Sequence, residues 1–112
     1  MIKRDRFRYL ALKLECEGNI PKTALIESIY YSILRLFGIY GLSHCRISLI
    51  EYAPDRKYAI LRCRHKAIDL VRAALASITK INDEEVSVRI LLVSGTIRAL
   101  KRKMVEKHAI VF

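Results

Sequence analysis

Apolar and polar positions alternate through residues 7–17, with Leu10, Leu12, Leu14 and Cys16 on one phase and Tyr9, Ala11, Lys13 and Glu15 on the other. A period of two is the pattern of a strand buried on one side. Gly18 and Asn19 break it and Pro21 suits a first helical turn. Ile26, Ile29, Tyr30, Ile33 and Phe37 then recur at helical spacing up to Gly38, where the helix is expected to stop. Leu25, Tyr31, Leu34 and Leu36 widen the apolar face of that helix beyond one stripe, which predicts deep burial or a partner. Residues 46–52 and 57–64 read as two strands joined by Ala53, Pro54, Asp55 and Arg56, a proline-containing hairpin loop. Ile68, Val71, Leu75 and Ile78 mark an amphipathic helix, with Asp69 favourable near its N-terminus and Lys80 near its C-terminus. Residues 82–85 read as a loop and residues 86–93 as a last strand, which runs through Ser94, Gly95 and Thr96 into a basic helix over 97–107.

The predicted order is βαββαβ with a C-terminal helix, an α+β arrangement of the ferredoxin-like type: an antiparallel sheet with both crossover helices on one face. In its strand order, 4-1-3-2, the start of the first strand lies beside the ends of the third and fourth, since both neighbours run antiparallel to it. Residues 3–8, 62–66 and 94–102 are therefore expected at one end of the sheet, together with the N-terminus of the second helix and its free amides. No repeat, low-complexity tract or linker divides the chain, so residues 7–112 are expected to form one domain behind a basic arm, residues 1–6.

Charge gives that end a meaning. The chain carries 21 Lys and Arg against 11 Asp and Glu, a net +10. Three segments hold the excess: residues 1–13 carry +4, 56–66 carry +5 and 94–112 carry +4, while the stretches between them carry −2 and −1. Concentrated basicity at a strand-to-helix turn is an arrangement for phosphate, and it predicts a polyanionic partner. A solvated lysine surface is the plainer account of the same residues.

Catalytic chemistry finds little support. His44 adjoins Cys45 and Cys63 lies two residues before His65, but neither pair has a C-x-x-C spacing or a second pair nearby. Buried cysteines are the better account, and an odd number of widely spaced cysteines argues against a disulfide framework. Asp83, Glu84 and Glu85 read as a solvated acidic turn. Walker and dinucleotide loops are absent. The 57–64 strand lacks the glycine and paired aromatics of an RNA-recognition motif, so the open sheet face is not an obvious base-stacking platform. Tyr9 and Tyr58 reach toward that face, and for Tyr58 core packing and RNA contact stay equally open. No apolar run approaches the roughly 18 residues of a membrane span and no secretory leader opens the sequence, which predicts an intracellular, cytoplasmic protein without a membrane partner. A lack of Gln and only two Asn residues, Asn19 and Asn82, hints at heat adaptation.

The segments at 59–64, 67–79 (Ala-Ile-Asp-Leu-Val-Arg-Ala-Ala-Leu-Ala-Ser-Ile-Thr) and 88–98 with Ser-Gly-Thr-Ile-Arg, together with Arg8-Tyr9-Leu10 and Leu36-Phe37-Gly38, resemble the ribonuclease P protein component 2 family. The likeness covers most of residues 7–103. It implies a non-catalytic RNA-binding subunit of an archaeal-type ribonucleoprotein that removes 5′ leaders from precursor tRNA. It also implies that magnesium belongs to the catalytic RNA subunit, with no cofactor or metal on the protein. The implied partners are ribonuclease P RNA, precursor tRNA and ribonuclease P protein component 3, with homo-dimerisation as a further option.

RNA contact is expected from Arg4, Arg6, Arg8, Arg62, Arg64, Lys66, Ser94, Thr96, Arg98, Lys101, Arg102 and Lys103. The open sheet face is expected to carry Ile50, Tyr52, Ile60, Leu91 and Val93, and protein contact to fall on Tyr31, Leu34, Ile50, Ile60, Leu91 and Val93. Ala109, Ile110, Val111 and Phe112 add apolar surface at the chain end. A competing reading lets the C-terminal helix fold back over the sheet through Ile97, Leu100 and Met104. The alternative function is a ferredoxin-like small-molecule regulatory module that dimerises through its sheet. A small phosphate-handling enzyme on the same fold lacks a catalytic anion loop and a water-positioning residue.

Overall fold

The structure is a computed structural model and describes residues 6–106. The expected basic arm, including Arg4, and the apolar chain end at 109–112 lie outside the described residues. The elements are β1 (Phe7–Glu15), α1 (Lys22–Cys45), β2 (Ser48–Ala53), β3 (Tyr58–Arg64), a 3-10 turn (His65–Ala67), α2 (Ile68–Ala76), β4 (Lys80–Ile81), β5 (Glu84–Glu85), β6 (Ser87–Ser94) and α3 (Ile97–Glu106). The main sheet has the order β2-β3-β1-β6 with β1 antiparallel to both neighbours, the predicted ferredoxin-like topology.

Leu10, Leu12 and Leu14 of β1 point to one face, where they meet Leu25, Ile29 and Ile33 of α1 and Val71, Ala74 and Leu75 of α2 in the principal core. The middle of the opposite face is covered by α3, whose Leu100 and Met104 are fully buried over Ala11, Tyr58 and Ile60. The C-terminal helix thus folds back, and the centre of the sheet face expected to be open is covered. Ile60, expected at a protein interface, is sealed beneath α3. Tyr58 is buried there too, which resolves its two readings toward core packing.

Two β-bulges explain why alternation misplaced other residues. Ala11 pairs with Leu92 and Leu12 with Ile90, leaving Leu91 as an extra residue; Leu49 pairs with Leu61 and Glu51 with Ile60, leaving Ile50 extra. Each inserted residue reverses the phase beyond it. Val93 and Tyr52 consequently pack toward α1 and α2 rather than the α3 side, while Leu91 and Leu92 both lie against the α3 cluster.

Gly38 does not end the first helix. It breaks it at φ 73°, ψ −172°, a conformation suited to glycine, and helix resumes to Cys45. The turn is tight enough that a Cβ on Gly41 would stand 2.3 Å from that of Phe37. By length and apolar composition α1 resembles a membrane span, yet Leu25, Ile29, Ile33 and Cys45 are committed to the core. Arg46 is the left-handed cap of α1 and not a strand residue. α2 ends at Ala76, so Lys80 is not at its C-terminus. Lys80 opens a short hairpin with Glu85, turned by Asn82 and Asp83 at φ 51° and 64°, where a plain loop was expected. Two consecutive positive φ values are the geometry of a type I′ turn.

Candidate nucleic-acid interface

The sheet register brings the three basic segments together. Phe7 pairs with Arg64 and Tyr9 with both Arg62 and Ser94, so the start of β1 sits between the ends of β3 and β6. The His65 amide donates to the Arg6 carbonyl at 2.7 Å and extends this end by one rung. Two helices begin here. α2 follows the turn holding His65 and Lys66 and has no side-chain cap, while α3 follows Gly95 on the other face. The positive ends of two helix dipoles thus border the basic side chains.

The expected contact residues play several parts. Arg6, Lys66, Arg98, Arg102 and Lys103 are exposed. Arg8 is half-buried, donates from Nη1 to the Phe7 carbonyl at 3.0 Å, and holds that nitrogen 3.6 Å from where a Gly95 Cβ would stand. Arg62 lies over the Phe7 ring, 4.8 Å from its centroid. Arg64 is half-buried at the end rung.

Thr96 caps α3: its Oγ1 accepts from the Ala99 amide at 3.1 Å. Ser94 is buried, and its Oγ accepts from the Thr96 amide at 3.5 Å. Both hydroxyls shape the turn. Lys101 donates to Glu51 Oε1 at 2.9 Å, and the Tyr58 hydroxyl donates to Glu51 Oε2 at 2.9 Å. The Lys101 hydrogen bond holds the Glu51 carboxyl below the usual range, despite an opposing effect of burial. Burial, followed by the Glu51 contact, raises the Tyr58 phenol. Lys101 therefore fastens α3 to the sheet.

The opposite end holds most of the chain's clustered carboxylates. Glu15, Glu17, Asp83, Glu84 and Glu85 line an open cleft of about 950 Å³, with Arg89 paired to Glu15 at 3.1 Å. β1 runs from the basic end to this one, about 26 Å at the usual rise per residue. Lys13, Lys57, Lys80 and Arg89 lie at the same end, so its carboxylates are largely balanced, in contrast to the basic end.

Apolar exposure concentrates on α1. Tyr31 is 65% exposed, Ile39 79% and Tyr40 83%, and Tyr30, Leu34, Leu36 and Phe37 are also exposed. Tyr31 and Leu34 were anticipated from the helical pattern. Ile39 and Tyr40 were missed because the helix was expected to end at Gly38. Phe7 was missed as well, although the period of two already placed it on the same phase as Tyr9. Of the remaining expected interface residues, Ile50 is exposed at its bulge, and Leu91 and Val93 are half-buried on opposite faces.

Among the described residues no three His, Cys, Asp or Glu side chains gather in a metal-binding group. All three cysteines are free; Cys45 and Cys63 are buried, and burial pushes the Cys63 thiol up to about 11.

Residues 8–105 match the model of the Rpp14/Pop5 family. A ribonuclease P protein component 2 from Pyrococcus horikoshii is 34% identical over 105 residues, 94% of this chain and 88% of that protein. One from Methanobrevibacter smithii is also 34% identical, over 93% of this chain and 92% of its own. Among solved structures, a chain in the cryo-EM structure of yeast ribonuclease MRP shares the fold at a TM-score of 0.69 and 16% identity, covering 97% of this chain and 96% of its own. With the family match spanning nearly all of the described fold, this chain belongs to the Rpp14/Pop5 family.

Proposed function

We propose that this protein is a non-catalytic, RNA-binding subunit of a cytoplasmic ribonuclease P, supporting the fold of the RNA subunit and the removal of 5′ leaders from precursor tRNA. The observation that carries the reading is the convergence of three sequence-distant basic segments and two helix N-termini at one end of the sheet, in a chain whose curated relatives are named ribonuclease P protein component 2. Arg62, Arg64, Lys66, Arg98 and Arg102 meet phosphates of ribonuclease P RNA or precursor tRNA, and contacts to backbone and shape dominate over base identity. Magnesium stays with the RNA in this reading.

Protein contact falls on the outer face of α1. Tyr31, Leu34, Leu36, Phe37, Ile39 and Tyr40 are all exposed on this one helix, and clustered exposed apolar side chains are the kind of surface that marks a protein contact. Component 3 of the same particle is the partner proposed for it, with a second copy of the chain as the competing occupant. Light scattering of the chain alone and mixed with component 3 separates the two, and a strict monomer that forms no complex removes both.

The RNA reading is tested with R62E/R64E/R98E. Affinity for ribonuclease P RNA measured against salt should fall, and the slope of log affinity on log salt should flatten as phosphate contacts are lost. An unchanged slope would overturn the assignment.

A further inference from the structure

α3 covers only part of the sheet face on which it lies. Its buried contacts, Leu100 and Met104, sit over the Ala11–Ile60 rung and over Tyr58. The next two rungs toward the basic end, Tyr9–Arg62 and Phe7–Arg64, are half-buried. β6 ends at Ser94 beside Tyr9, so no strand flanks Phe7 on that side. An island of two aromatic and two arginine side chains is left at the edge of the helix cover.

Within it, the Arg62 guanidinium rests on the Phe7 ring, 4.8 Å from the centroid, along the diagonal between the two rungs. The Arg62 Nε is buried without a hydrogen-bond partner. A surface arginine free to choose would turn that donor toward water, and buried donors left unpaired in native structures call for an explanation. Here the contact with the ring leaves Nε buried and unpaired, while Arg62 as a whole stays half-exposed beside Phe7. Such a pre-stacked cation has a known use in RNA recognition: single-stranded segments are read by stacking splayed bases on aromatic rings and guanidinium planes.

We propose that this island, Phe7–Arg62 with Tyr9 at its side, receives one unpaired base of the bound RNA, stacked against the half-exposed Phe7–Arg62 pair. The proposal rests on the RNA-binding reading and adds to it a ligand class: a bulged or loop nucleotide beside the helical phosphates held by Lys66, Arg98 and Arg102. Stacking accepts any base, so the preference is for an unpaired nucleotide and not for a sequence.

The test uses the full chain and two RNA hairpins of equal length, one fully paired and one with a single bulged 2-aminopurine. The wild-type protein should bind the bulged hairpin about tenfold more tightly, the size expected for one stacked base, and should quench its fluorescence. R62K keeps the charge but not the plane, and F7L keeps apolar volume but not the ring. Both should lose the quenching and the tenfold preference, and F7L, which touches no phosphate-binding residue's charge, should do so with the salt dependence on the paired hairpin as in wild type. Circular dichroism of each variant checks that it is folded, and Y9L supplies an independent third variant of the same island. Equal binding of both hairpins without quenching would overturn the stacking proposal and leave the phosphate reading standing. Failure to bind either hairpin would overturn the RNA-binding reading itself.

Discussion

On the α1/α2 side of the sheet, Leu10, Leu12 and Leu14 are sealed by two helices and by Ile20, Ile78 and Ile81 from the connecting segments; on the other side one ten-residue helix closes over Ala11, Tyr58 and Ile60. The first face is apolar throughout. The second is bordered by the Lys101–Glu51–Tyr58 network and gives way within two rungs to Arg62 and Arg64. The same strands thus carry a wholly apolar face and a face that ends in a basic edge, the edge that the proposed function gives to RNA. The difference teaches where changes should be felt: buried volume on the first side sets whether the protein folds, while contacts on the second set how α3 and its arginines are held.

Truncation separates the two faces most sharply. Leu12→Ala should cost about 4 kcal/mol in urea denaturation, since Leu12 is enclosed on a face that cannot collapse onto the cavity. Met104→Ala should cost less, about 3 kcal/mol, because a single terminal helix can settle into the space. At temperatures where both remain folded, only Met104→Ala should weaken RNA binding. Equal losses of stability together with equal RNA affinities would break the comparison.

Alkaline pH probes the larger core through Cys63. Its thiol is pushed from 9.0 to about 11 by burial and, secondarily, by Cys45. Between those values the unfolded chain has released the proton and the folded one has not, so the unfolded state binds fewer protons and stability falls as pH rises. The loss should be on the order of 2 kcal/mol by pH 11. Cys63→Ala, less stable at neutral pH, should show a flatter alkaline limb. An unchanged limb would mean that the thiol titrates alike in both states.

Acid probes the α3 face, with the smallest effect. Glu51 is held below its ordinary value by the Lys101 hydrogen bond, so its contribution is present above the unfolded carboxylate pKa and is lost as pH falls through the lower folded one. With both side chains more than a third exposed, the contribution should stay below about 1 kcal/mol. Glu51→Gln should reduce the acid sensitivity measured by α3-dependent burial of Tyr58. Acid sensitivity equal to wild type would leave Lys101 without a fastening role.

The sequence by itself determined the order of the main strands and helices, the ferredoxin-like topology and, through it, the basic end. Alternation in β1, helical spacing in α1 and α2, and the chirality of the crossovers all act locally or by simple rule, so they are legible along one dimension. The meeting of Arg62, Ser94 and Tyr9 followed from topology alone. Only the tertiary structure decided which side chains face where beyond Ile50 and Leu91, because a bulge inserts one residue without a compositional mark and reverses every position after it. It also decided that helix resumes after Gly38, where the left-handed glycine turns the chain but the apolar residues after it can still form a helical turn. It decided that Lys101, Ser94 and Thr96 serve the architecture of the site, since charge and hydroxyl types are the same whether a group meets solvent, RNA or Glu51. And it decided that Ile60 is core, because α3 lies across the sheet: an apolar strand residue looks alike in sequence whether a partner or the chain's own last helix covers it.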